Sequence, residues 1–224
     1  MENLAFISDH LESLVISDAT NAKEKLSTGK RGRGLFLDCG SNLGQGFTFF
    51  RQYYTLDLFD YILIEPNPNC IHHLETLRST LRGNIEIINM AASTIDGETC
   101  FFGLVEGNVD ITSQGGSIIK DHNNRYYQAD EAGAIKVRTF SLAELIQKHY
   151  SDYDSIILKL DIESGEYEVL VDLIANNAHM SLDYSYVEFH SIYMNEPKSS
   201  HFKELEDKII KRFESDNVPL RVWV

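Results

Sequence analysis

Short apolar runs recur along the chain at 35–38, 61–64, 85–88, 156–160 and 184–189. They are mostly continuous rather than alternating, as in strands covered on both faces. Stretches of helical periodicity lie between them near 45–54, 69–81, 142–149 and 167–176. A further helix is expected over 202–213 and a closing strand over 218–224. This alternation predicts an α/β domain: a doubly wound, mostly parallel sheet with helices on both sides and right-handed crossovers. Upstream, Leu4, Ile7, Leu11, Leu14 and Val15 recur at three- and four-residue steps, predicting an N-terminal amphipathic helix. The glycine-rich stretch 29–34 reads as a flexible connector. The chain therefore divides into a helix and connector over 1–33 and a main domain over 34–224.

The first run leads into Asp38-Cys39-Gly40-Ser41-Asn42-Leu43-Gly44-Gln45-Gly46. A strand that turns sharply under a ligand needs glycine there. The N–H groups opening the next helix would face that ligand. The spacing matches neither G-x-G-x-x-G nor a phosphate-binding P-loop. Its D-x-G-x-x-x-G pattern resembles the first motif of class I methyltransferases. The second run ends in Glu65-Pro66-Asn67. An acid about 20 residues past such a turn binds ribose hydroxyls in doubly wound folds. Small residues at Ala91 and Ala92 after the third run would let an adenine ring lie flat.

A second dense segment is Lys159-Leu160-Asp161-Ile162-Glu163-Ser164-Gly165-Glu166. Lys159, Asp161 and Glu163 alternate, which in an extended chain puts them on one face. Ser164 is expected to cap the next helix and Glu166 to favour its positive end. The fifth run carries Glu188 and His190. Asp161, Glu188 and His190 at one rim suit a general base or a divalent ion, magnesium by the oxygens and manganese by the imidazole.

Composition narrows the partners. A formal net charge of −14 disfavours nucleic acid. No apolar run reaches the roughly 18 residues of a membrane span, and no basic-then-apolar leader is visible. Cys39, Cys70 and Cys100 are few and form no C-x-x-C pair, which fits a reducing, cytoplasmic setting without disulfides or zinc. Cys39 and Cys100 are expected to be buried. Residues 106–134 are rich in Gly, Asn, Asp and Ser without period, reading as a binding loop or a surface insertion.

Taken in order, LDCGSNLGQ, LIEPNP, the Asp96-Gly97-Glu98 turn, KLDIESGEYEVL and VEFH resemble the FkbM family of methyltransferases over roughly residues 34–190. The resemblance implies a Rossmann-like fold, S-adenosylmethionine as methyl donor and O-methylation of a sugar or metabolite hydroxyl. It implies cofactor contacts at Asp38, Gly40, Ser41, Asn42, Gly44, Glu65, Asn67, Ala91 and Ala92. Lys159, Asp161, Glu188 and His190 become the catalytic candidates, with Asp161, Glu188 and His190 as ligands for any magnesium or manganese ion. Tyr126, Tyr127 and the 115–117 turn are expected at the acceptor pocket. One departure stands out: Ser164 occupies the place after the second acid where the family has glycine. Only one strand is visible after residue 215, which suggests a piece of a larger multidomain protein. The competing readings are an NAD-dependent oxidoreductase and a non-catalytic module that binds S-adenosylmethionine.

Overall fold

The computed structural model describes residues 8–104, 115–123 and 133–223. Leu4, Ile7, Tyr126 and Tyr127 lie outside them. In chain order the elements are α1 (Asp9–Thr28), β1 (Gly34–Cys39), α2 (Gln45–Phe50), β2 (Phe59–Ile64), α3 (Pro68–Thr80) and β3 (Ile85–Ile88). There follow β4 (Ala91–Ser93), β5 (Gly97–Phe101), β6 (Ile135–Ser141), α4 (Leu142–His149), β7 (Ser155–Leu160) and α5 (Glu166–Ala175). The last elements are β8 (Tyr184–Val187), α6 (Lys198–Ser215) and β9 (Leu220–Val222).

The main sheet runs β3-β2-β1-β7-β8-β9, and every pairing in it is parallel. The continuous apolar runs have a direct explanation, because successive side chains enter different cores. Leu35, Leu37, Ile62, Ile64, Ile156 and Leu158 join the core shared with α4, α5 and α6. Phe36, Tyr61, Leu63 and Ile157 join the core shared with α1, α2 and α3. A strand buried on both faces has no polar side to show in its sequence.

Helix α1 belongs to the second of these cores. Ser8 accepts a hydrogen bond from the Leu11 N–H and caps it, with Asp9 and Glu12 in its first turn. Leu11, Val15, Ala19, Ala22 and Leu26 form its buried stripe. The buried Asp18 accepts from Arg221 Nε at 3.0 Å and Nη2 at 2.9 Å and from the Tyr186 hydroxyl at 3.2 Å, tying α1 to β9 and β8.

Three expectations are corrected. The 29–34 connector is not loose: the Asp154 carboxylate accepts the backbone N–H groups of Lys30, Arg31 and Gly32 at 3.1, 2.7 and 2.6 Å. Cys100 is exposed, because it stands on the outward side of β5. A second sheet, β4-β6-β5, lies apart from the main one. Its strands are short, and β6 alternates exposed Lys136 and Arg138 with buried Val137 and Thr139. Among the described residues no helix is long and apolar enough to cross a membrane.

Candidate active site

Strand register assembles the site. Cys39 pairs with Ile64 on one side and with Leu160 on the other, and Leu160 pairs with Val187. The residues that follow these four are Glu65, Gly40, Asp161 and Glu188, in that spatial order along one carboxyl edge. Backbone bonds extend the ladder to this row: Glu65 to Ile88, Gly40 to Ile64, Asp161 to Cys39 and Glu188 to Leu160, at 3.0, 3.0, 3.1 and 3.0 Å. The connections reverse direction between β1 and β7, so Gly40 and Asp161 flank the switch point where open α/β sheets bind ligands.

The glycine turn is forced by contact. Gly40 has φ of +78°, and a Cβ there would lie 1.7 Å from the Asp161 carbonyl oxygen. Gly44 has φ of +87°, and its Cβ would meet Leu77 Cδ1 at 2.5 Å. Asn42 also takes a left-handed conformation, with φ of 46°. Its N–H donates to Glu65 Oε2 at 2.8 Å, while the Asn67 N–H donates to Glu65 Oε1 at 2.7 Å. Burial pushes the Glu65 carboxyl up to about 7 despite those two bonds.

The other candidates on this side differ in what they can offer. The buried Ser41 hydroxyl donates to the Asp38 carbonyl and accepts from the Ile64 N–H, so it braces β1 against β2. Asn67 caps α3 by accepting from the Asn69 N–H at 3.0 Å. Ala91 and Ala92 are buried in apolar clusters, because β4 pairs with β6.

Lys159 sits under the switch point, almost fully buried. Its ammonium donates to the Gly40 carbonyl at 2.8 Å and lies 3.3 Å from Asp38 Oδ1 and 3.1 Å from Asp161 Oδ2. Burial opposes its charge, but Asp161 and Asp38 outweigh that and hold it above the usual lysine range. Asp38 is fully buried, and burial pushes its carboxyl up against the pull of Lys159. Beyond that ion pair, neither Asp38 oxygen has a hydrogen bond among the described residues.

Beyond Asp161 the chain leaves the strand. Glu163 and Ser164 take φ of 53° and 74°, so the expected alternation of Lys159, Asp161 and Glu163 ends at Leu160. The turn instead swings Glu163 towards His190. Ser164 does not cap α5, whose N-cap is Gly165. Its hydroxyl lies 2.8 Å from His122 Nδ1 and 3.3 Å from the His190 carbonyl oxygen. The glycine-to-serine exchange thus keeps a backbone conformation that glycine adopts easily, and fills the space with polar contacts.

His190, only 2% exposed, is the hub of this half. Glu166, fully buried, accepts from the His190 N–H at 2.9 Å and faces His190 Nδ1 at 3.2 Å. His190 Nε2 faces Glu188 Oε1, Glu163 Oε2 and Asp161 Oδ1 at 3.4, 3.5 and 3.7 Å. Burial opposes the imidazolium, but Glu166 and Glu188 hold it well above the usual histidine range. Burial also raises the Glu188 carboxyl. His122 completes the cluster, with Nε2 3.1 Å from Glu163 Oε2. Sequence reasoning missed His122, since nothing in a patternless stretch singles out one histidine. Glu166 stands in the first turn of α5 as expected, and its contacts with His190 are what sequence reasoning missed.

A family model described as the methyltransferase FkbM domain matches residues 38–214, most of the chain. The chain belongs to the FkbM methyltransferase family. Its parallel six-stranded sheet with flanking helices is the Rossmann-like fold expected of it. No curated protein and no solved structure matches the chain. The FkbM match begins at Asp38 and takes in the glycine turn, Glu65 and the whole acidic rim from Lys159 to His190.

Proposed function

We propose that this FkbM-family chain transfers a methyl group from S-adenosylmethionine to a hydroxyl oxygen of a sugar or glycan. The observation that carries the reading is the single row Glu65–Gly40–Asp161–Glu188, in which a nucleoside-type site and an acid–base site share one edge.

The residues suit the donor. Both Glu65 oxygens already hold backbone N–H groups of the two flanking loops, and each keeps a lone pair for a hydroxyl of a ribose diol. Asp38, buried with Oδ1 paired to Lys159 at 3.3 Å, offers Oδ2 to the ammonium of an amino-acid moiety. Gly40 and Gly44 let the turn pack against the Asp161 carbonyl and Leu77, which sets its path along the sheet edge. S-adenosylmethionine supplies an activated methyl on a sulfonium, leaving alignment and proton removal to the protein. Alignment of bound reactants is worth roughly 7–11 kcal/mol.

The acceptor hydroxyl must lose a proton as its oxygen attacks. His190 is enclosed by carboxylates, so we assign the base to one of them, with Asp161 beside the switch point the first choice and Glu188 the second. Lys159 lies 3.1 Å from Asp161 Oδ2 and aims that carboxylate. General-base help of this kind contributes about 10²–10⁴-fold. A divalent ion at the same carboxylates would lower the hydroxyl pKa in its own way.

Calorimetric titration with S-adenosylmethionine and S-adenosylhomocysteine tests the donor. Micromolar binding of both is expected, and a folded protein that binds neither would return an NAD-dependent reading to the front. Radiolabelled methyl transfer to a panel of sugars and glycans tests the acceptor. Asp161→Ala should abolish that transfer with homocysteine-product affinity within a few-fold of wild type.

A further inference from the structure

The geometry points to a divalent-cation site built from Asp161, Glu163 and His190, whose imidazole favours Mn²⁺ over Mg²⁺ or Ca²⁺. This set differs from the one expected by sequence, since Glu163 replaces Glu188 as the third donor. One ligand atom from each of the three residues lies within 4.8 Å of the others.

Two independent features support an ion rather than a chance gathering of acids. The first is His190 Nε2. It belongs to a 2%-exposed side chain and points among three carboxylate oxygens at 3.4–3.7 Å. An N–H donor would settle at roughly 2.7–3.2 Å from one of them. Donors that share an ion about 2.1 Å away from each lie roughly 3–4 Å apart. All three distances fall in that range, and it is Asp161, Glu163 and His190 whose donor atoms also lie within 4.8 Å of one another.

The second feature is the layer behind the donors. A ligating histidine gives its other ring N–H to a carboxylate, and ligating carboxylates are themselves held. Glu166 faces His190 Nδ1 at 3.2 Å. Lys159 takes Asp161 Oδ2, leaving Oδ1 towards His190. His122 Nε2 holds Glu163 at 3.1 Å, and the Ser117 hydroxyl donates to the Glu163 carbonyl at 2.5 Å. Thus the 115–123 segment grips Glu163 at both backbone and side chain, which fixes a residue in a left-handed turn. His190 and Asp161 are thus held through the atom not offered to the ion, and Glu163 through its carbonyl, with His122 beside the Oε2 that faces His190.

Charge points the same way. Asp161, Glu163, Glu166 and Glu188 converge on one imidazole, with Lys159 as the ammonium in contact among the described residues. An added cation offsets that excess. Two hard oxygens and one imidazole favour Mn²⁺ over Mg²⁺ or Ca²⁺. The ion's part in methyl transfer rests on the methyltransferase reading; its binding does not.

The test is titration of the full chain with Mn²⁺, followed by the electron paramagnetic resonance signal of the free ion, with Mg²⁺ as competitor. One Mn²⁺ per chain at micromolar affinity is expected, displaced only by a large excess of Mg²⁺. Glu163→Gln should weaken binding by at least about 10-fold, and His122→Asn, which removes only a holder, by about 10–100-fold. S-adenosylhomocysteine titration of each variant shows that the fold and the cofactor half survive. Wild-type protein that binds the product but no Mn²⁺ would overturn the metal site and leave the methyltransferase reading standing. Mn²⁺ binding unchanged in Glu163→Gln would overturn the ligand set.

Discussion

Ser164 shows how one residue can carry opposing terms. Its left-handed backbone costs about 1–2 kcal/mol for a residue with a Cβ, while its buried hydroxyl serves His122 and the His190 carbonyl. Ser164→Ala keeps the cost and strands the buried imidazole, so a loss of about 1–3 kcal/mol is expected in urea unfolding. Ser164→Gly should recover about 1 kcal/mol of that loss. Glu65 makes a prediction about pH. Its carboxyl is raised from 4.5 to about 7 in the folded chain, so between those values the folded state binds more protons than the unfolded one. Its contribution to stability is therefore present at lower pH and lost as pH rises from 4.5 towards 7. Unfolding free energies measured at intervals across that window should fall, and Glu65→Gln should flatten the fall. Product affinity should move the opposite way, strengthening as Glu65 ionises to accept the ribose diol. An affinity that is flat across this range would argue against the ribose role.

Elements are held by unlike ion pairs. The Asp18–Arg221 pair joins the first helix to the last strand, with Asp18 side chain 3% exposed and Arg221 30%. Asp18→Ala leaves a half-buried guanidinium and the Tyr186 hydroxyl without their acceptor, and should cost about 3 kcal/mol. Lys25–Asp183 joins the same helix to the start of β8, but Lys25 is 52% exposed. Lys25→Ala should cost less than about 1 kcal/mol. Urea midpoints of the two variants compared with wild type check the contrast. If both cost the same, burial is not what separates them.

At the scale of the molecule, α1 is part of the core that it covers. Removal of residues 1–28 would uncover Phe36, Phe50 and Tyr186 on that face of the sheet. The shortened chain should lose its cooperative thermal transition and bind a dye for exposed apolar surface. A shortened chain that melts as sharply as the intact one would show that 34–224 folds alone.

Much of this architecture was written locally. Continuous apolar runs such as 156–160 mark a doubly covered parallel strand, and Gly40 with Gly44 marks a turn that only glycine permits. Those are short-range constraints, so the parallel α/β class, the glycine turn and the acid at Glu65 could be read from neighbouring residues, while the strand order could not. Short alternating strands such as β5 and β6 resemble polar loops until a partner is seen, which hid the second sheet. The acid–histidine cluster was legible only as a list of candidates. His122 lies far from His190 in sequence, and Glu163 reaches it only through a left-handed turn that local pattern does not announce. Chain pattern determined which edge of the sheet would hold chemistry. The tertiary fold decided which side chains meet there, because distances between residues remote in sequence are set by strand register and packing.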